Sequence, residues 1–175
     1  MKKLLFSSTA IALLALPVAF ANTNSGGKLY ISADGSNNPV AANSDLNQAA
    51  FEALTWLEVS NFGNHGETGS NTNIATYDTW DNDVAQKAAG ITNAGDPEIE
   101  LARISTDLGQ IAMRSAAQSS NRTNNYAFKI EHLDGTIYYN RGLCLGPRHP
   151  NGRNEDFNLE VFTIACNQEE VVVEP

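Results

Sequence analysis

The chain has 175 residues and a formal net charge of −9, with 20 Asp and Glu against 11 Lys and Arg. That length suits one domain with a real core. So acidic a balance argues against a protein that grips nucleic acid through its phosphates, yet it suits one past which nucleic acid slides without sticking, since like charge opposes adhesion; solubility alone also accounts for it.

The first 21 residues stand apart. Lys2 and Lys3 precede an apolar run from Leu4 to Val18, and Ala19-Phe20-Ala21 is an A-x-A cleavage pattern. The segment reads as a secretory signal peptide cut before Asn22, with a buried N-terminal helix as the alternative. The run is short for a membrane span, which needs roughly 20 residues. Cleavage leaves 154 residues with a net charge of −11.

Residues 22–43 read as an extended N-terminal arm, with a short strand at Lys28 to Ser32 and a loop after it. Ser44 can cap a helix over 45–54, where Leu46, Ala49, Ala50, Ala53 and Leu54 make one apolar face. Thr55 to Ser60 alternates as a strand, with Leu57 and Val59 on one side. Residues 61–83 form a long polar stretch containing Gly63, Gly66 and Gly69; it can hold a hairpin arm, because NIATYDTW alternates in part. A short strand at Val84 to Ala89 follows, and 91–97 is dense in turn formers. Glu98 to Ile104 reads as a strand touched on both faces.

Thr106 or Asp107 then caps a helix whose stripe is Leu108, Ile111, Ala112 and Ser115, extended by Ala116 and Ser119. Gly109 costs that helix roughly 1 kcal/mol relative to Ala, unless it serves close packing. Tyr126, Phe128 and Ile130 alternate with Lys129 and Glu131 in a strand that ends at Asp134-Gly135, a two-residue hairpin signal. Its partner is Thr136 to Leu145. After a loop over 146–156, Phe157 to Cys166 is the last long strand, and 171–175 is a short tail. The fold class is therefore mainly β with a flanking α-helix, and the β domain runs over 44–170.

Cys144 and Cys166 lack CxxC spacing and have no histidine at ligand spacing, which argues against zinc. If the strands around 146–156 pair antiparallel, the two come near each other; a disulfide or two free thiols both fit, because register is open. No GxSxG, HExxH, P-loop or GxGxxG motif occurs. The pairs Asp81/Asp83 and Glu155/Asp156 do not follow a calcium-loop pattern. His65 and His149 fall in polar loops and His132 near a strand end, where solvated or structural roles are the default. Asn121-Arg122-Thr123 matches a glycosylation sequon, a triplet common by chance. Trp56 is expected to pack against the fold, and Trp80 to contact another chain. No cofactor, metal or catalytic residue is expected, and the chain does not read as an enzyme.

The order AAFEALTWLEV (49–59), NFGNHGETGSN (61–71), KAAGITNAGDPEIELARI (87–104), DLGQIAMRSAA (107–117), YAFKIEHLDGTIYYNRG (126–142) and GPRHPNGRNEDFNLEVF (146–162) resembles the tail tube proteins of long-tailed bacteriophages and gene transfer agents. The resemblance covers most of the chain after residue 21 and rests on order rather than on any single motif. It implies a β-sandwich or barrel-like subunit with a flanking helix. Six such subunits typically form a ring, and stacked rings form a tube that conducts DNA without sequence-specific binding. It also implies partners among other tail proteins, such as a tape measure protein, and a place in the virion tail tube after assembly in the host cytoplasm. The arm 22–43 and the loop 61–83, with Asn64, Glu67, Asp78, Trp80 and Asp83, are the implied ring-to-ring contacts. The signal-like start supports a second expectation: a β-rich binding module exported to the periplasm or medium.

Overall fold

The computed structural model describes residues 24–81, 83–150 and 152–175; the signal-like segment 1–21 lies outside the described residues. Eight strands make one antiparallel sheet. Its order is β2 (Trp56–Val59), β1 (Lys28–Ser32), β7 (Asn125–Glu131), β8 (Ile137–Arg148), β9 (Leu159–Cys166), β6 (Glu98–Ala102) and β3 (Phe62–His65). β10 (Val171–Val173) continues along β8 beyond the end of β9, so the tail after residue 170 is drawn into the sheet. Likewise β1 lies between β2 and β7, with Leu29 and Ile31 buried, so from Lys28 onward the 22–43 segment is part of the domain.

β2 and β3 stand at opposite ends of that order, yet only Ser60 and Asn61 separate them in sequence. The sheet therefore curls until its ends approach at this turn. Asn61 takes a φ of +56° there, a left-handed conformation that asparagine tolerates better than most residues. The curl gathers alternate residues of most strands onto one inner face: Leu29, Val59, Leu101, Phe128, Phe162 and Ile164 share one core cluster. Full burial of each large side chain contributes about 1.5–3 kcal/mol. The mainly β fold with a flanking helix holds, and its connectivity is that of a barrel-like curl.

Helix α2 (Leu108–Ala116) lies across this inner face, capped by Asp107, whose Oδ1 accepts from Gln110 N at 2.8 Å. The buried side of the helix corrects the expected stripe. Ala112 and Ala116 are buried as expected, but Leu108 and Ile111 are 51% and 43% exposed and Ser119 is exposed, while Gly109 and Met113 face inward. The reason is distance. A Cβ on Gly109 would lie 2.1 Å from the Glu58 carbonyl oxygen, so the helix sits too close to β2 for any side chain at that contact. Close approach on the small-residue side rolls the two larger residues outward.

Helix α1 (Gln48–Glu52) is shorter than the expected 45–54, and its cap is Asn47 rather than Ser44. Leu46 is held elsewhere: its N–H donates to Gln168 Oε1 at 2.9 Å and its carbonyl accepts from Gln168 Nε2 at 2.5 Å. Buried Arg141 donates to the same Gln168 oxygen, to Ala42 O and Asn167 O, and to Asp45, clamping the α1 approach to the β9–β10 connection. Phe51 of α1 stacks on Tyr139 at 5.0 Å, forming a second, smaller cluster on the outer face of the sheet.

Two buried polar side chains tie the curl together. Gln110 Nε2 donates to Ser60 O at 2.9 Å and to Ala102 O at 3.0 Å, and its Oε1 accepts from Ile104 N at 2.7 Å. It thus joins the β2–β3 turn to the end of β6, as buried amides must be partnered. Glu160, fully buried on β9, meets Arg114 at 2.8 Å and Arg103 at 2.9 Å.

The β7–β8 turn has three residues, Leu133, Asp134 and Gly135, rather than two. His132 N donates to Thr136 O at 2.9 Å, and Gly135 sits at φ +93°. This is the hairpin form in which a left-handed glycine follows a tight turn. Across β8 and β9 the register pairs Cys144 with Ile164 and Gly142 with Cys166, so the cysteines are diagonal rather than opposite; both are buried free thiols.

Candidate assembly surface

The stretch 61–83, expected as a long polar loop able to hold a hairpin arm, divides. Its start is β3, because Phe62 packs against the core and Asn64 and His65 pair with Glu100 and Ile99. Its remainder begins a separate hairpin of β4 (Asn71–Tyr77) and β5 (Gln86–Asn93), which pair only with each other among the described residues. β5 therefore replaces the expected short strand at Val84 to Ala89 and takes in Ile91 to Asn93, expected as turn.

Local chemistry explains the hairpin. Thr, Ile and Tyr favour extended backbone, and Thr72 and Thr92 meet through their hydroxyls at 2.7 Å. The register shifts between Thr72 and Ile74, where Gly90 passes within 3.0 Å of Asn73 O as measured from an added Cβ. At the root, Gly69 and Gly95 have φ of +104° and +91°, and a Cβ on Gly95 would lie 2.7 Å from Gly69 O. Glycine allows the two chains to cross there and leave the sheet together.

Every residue of both strands is exposed. Strand alternation puts Ile74, Thr76, Lys87 and Ala89 on one face and Ala75, Tyr77, Gln86 and Ala88 on the other. Among the described residues neither face has a covering layer. Ile74, Tyr77, Val84 and Ile91 are exposed apolar side chains, and Trp80 at the tip is fully exposed between Asp78, Asp81 and Asp83. A two-stranded hairpin is at best marginal alone in water, and its two outer edges carry unpaired backbone groups that invite another strand.

The structure places the five expected contact residues at the two ends of this arm. Asp78, Trp80 and Asp83 lie at the tip. Asn64 and Glu67 lie at the root, lining a cleft of about 680 Å³ with Asp96, Glu98 and Glu100. Arg148 pairs with Glu98 at its rim. Seven strand residues, about 20 Å of chain, separate root from tip. Trp56 packs with Tyr139 at 5.8 Å, as expected of a tryptophan in the sheet. His149 is exposed, and His65 and His132, distant in sequence, come together.

Ile74, Tyr77, Val84 and Ile91 were not singled out from sequence. The usable signal was the partial alternation of NIATYDTW; it is faint because a strand exposed on both faces keeps little inside–outside alternation.

The fold is similar to that of chains in a prophage assembly. The chain is similar to a chain in the cryo-EM structure of the anti-feeding prophage baseplate, 6-fold symmetrised, with a TM-score of 0.60 at 7% identity, over 90% of this chain and 98% of that one. It is also similar to a chain of the anti-feeding prophage cap, which terminates the tube, with a TM-score of 0.54 at 10% identity, over 94% of this chain and 100% of that one. At such identities the likeness is one of fold. No family model and no curated protein matches the chain.

Proposed function

We propose that this protein is a structural, non-catalytic subunit of a tail-like particle. It self-assembles into rings, six to a ring, that stack into a tube. The observation that carries this reading is the arm 71–93, exposed on both faces and tipped by Trp80. An element so unable to bury its own apolar side chains gains stability from a neighbouring subunit. The fold likeness to baseplate and cap chains of the anti-feeding prophage supports the setting. The net charge of −9 suits a lumen through which DNA passes without adhering. Other tail proteins, a tape measure protein among them, are the expected partners, and the virion tail the expected location.

Sedimentation and negative-stain electron microscopy of purified protein test the reading. Rings or tubes are expected, and Trp80→Ala combined with Tyr77→Ala is expected to shift the population to monomer. A strictly monomeric protein at high concentration overturns it. The signal-like residues 1–21 favour the exported binding module as a second reading. Recovery of chain starting at Asn22 from periplasm or medium would support that module, and finding only uncleaved cytoplasmic chain would sink it.

A further inference from the structure

The outer side of α2 carries an apolar stripe that is uncovered among the described residues. Leu108 and Ile111, one turn apart, are both exposed there. Arg114 is the next residue at that spacing. It shares fully buried Glu160 with Arg103, Arg114 at 2.8 Å and Arg103 at 2.9 Å. Among the described residues every other ion pair sets one cation against one carboxylate. Here two guanidiniums share one, so this group carries a positive charge in excess, on a chain whose net charge is −9. Asp107 and Asp156, acids near it in sequence, are taken up by the backbone N–H groups of Gln110 and Arg153. Arg103 N donates to Asn158 O at 2.8 Å, which brings the exposed ring of Phe157 to the same patch.

The tip of the arm has the complementary character. Trp80 is fully exposed among Asp78, Asp81 and Asp83. An indole ring suits the apolar half of the patch, and carboxylates suit its arginines, which pair with carboxylates and stack on aromatic faces alike. Within one chain the two do not meet, because Trp80 is fully exposed. The arm leaves the body at the Glu98 end of β6, where Gly66 N donates to Glu98 O at 2.6 Å, whereas Arg103 follows the Ala102 end. Five strand residues, about 17 Å of chain, lie between those ends.

We infer that the arm tip of one copy docks on the α2 patch of the next, with Trp80 against Leu108 and Ile111 and the tip carboxylates facing Arg103 and Arg114. The inference rests on the assembly reading of the arm and names the surface that receives it. Tip and patch are different parts of the chain, so the contact is head-to-tail. Such a contact passes from copy to copy, closing into a ring or running on as a stack.

Two variants of the full chain test the docking by sedimentation. The tip variant is Trp80→Ala/Asp83→Lys. The patch variant is Leu108→Glu/Ile111→Glu, which sets acid against acid at two exposed positions. Each alone is expected to lose at least tenfold in self-association. Mixed one to one, they are expected to form a dimer that grows no further, because the intact patch of the first receives the intact tip of the second. Photo-reactive benzoylphenylalanine in place of Trp80 is expected to cross-link to residues 103–114 or Phe157 of another copy. Circular dichroism establishes that each variant is folded; if the patch variant is not, Leu108→Glu takes its place, since an acid suits the first turn of a helix. A wild type that assembles while the patch variant assembles equally well, or a mixture that stays monomeric, overturns the docking and leaves the assembly reading standing. A wild type that stays monomeric at high concentration overturns both.

Discussion

The curled sheet and the arm use the same antiparallel hydrogen bonding and differ in what covers their faces. In the sheet, alternate residues of β7 and β9 enter a shared core, and α2 lies across it. In the arm both faces are open, and the side chains that a core would hold, Ile74, Tyr77 and Ile91, meet water. Hydrogen-bonded ladders therefore do not by themselves make a stable unit; a second layer does. The sheet supplies its own layer, and the arm has none among the described residues.

Substitutions on the two sides of this divide should behave differently. Phe162→Ala, at a fully buried site, should cost about 3–5 kcal/mol in urea unfolding; a cost below about 1 kcal/mol would mean that the inner face is loosely packed. Gly109→Ala comes next. Helix propensity alone would gain about 1 kcal/mol, but the added Cβ meets Glu58 O at 2.1 Å, so a net loss of about 1–3 kcal/mol is expected. A net gain would show that α2 is not pressed against β2.

The buried thiols give a pH test of the same core. Burial pushes Cys144 and Cys166 from 9.0 up to about 12, with Asp96 and Glu170 adding to the effect at Cys166. The unfolded chain releases these protons first. Stability is thus complete below about pH 9 and declines as pH rises from 9 toward 12, by up to about 1.4 kcal/mol per thiol for each pH unit. Urea midpoints measured across that range should fall, and should fall less in the double variant Cys144→Ala/Cys166→Ala.

Smaller effects belong to the surface. Trp80→Ala should leave monomer stability within about 0.5 kcal/mol while weakening self-association, which sedimentation reads; a large loss of monomer stability would mean that the arm packs on its own domain. The least effect comes from Asp34 and Asp134. Hydrogen bonds from Asn38 and then Ser36 hold Asp34 below its usual value, and one from the Thr136 backbone does so for Asp134. Their contribution is present above the ordinary carboxylate range and is lost as pH falls through the depressed values. An acid titration followed by fluorescence should lose part of its slope there in Asp34→Asn.

Strands with one buried face were legible because alternation is a direct record of burial. Tyr126, Phe128 and Ile130, and likewise Phe162 and Ile164, announced their elements. The arm was only half legible, and the reason is physical: NIATYDTW alternates only in part, because with no face buried the strands keep no full inside–outside record. β3 was hidden because Phe62 is its single apolar contact with the core. The α2 stripe was half right: Ala112 and Ala116 lie inward as read, but Leu108 and Ile111 do not, because close approach to β2 puts Gly109 at the contact.

By itself the sequence determined the class of fold, the position of most core strands, a helix cap at Thr106 or Asp107 and the acidic balance, all of which rest on local pattern or composition. Tertiary structure alone decided the face that α2 buries, the joining of the sheet ends at Ser60 and Asn61, and the free state of the two cysteines. It also decided the meeting of His65 with His132 and the projection of the arm. Each of these depends on distances between segments far apart in the chain, set by packing rather than by any residue's own preference.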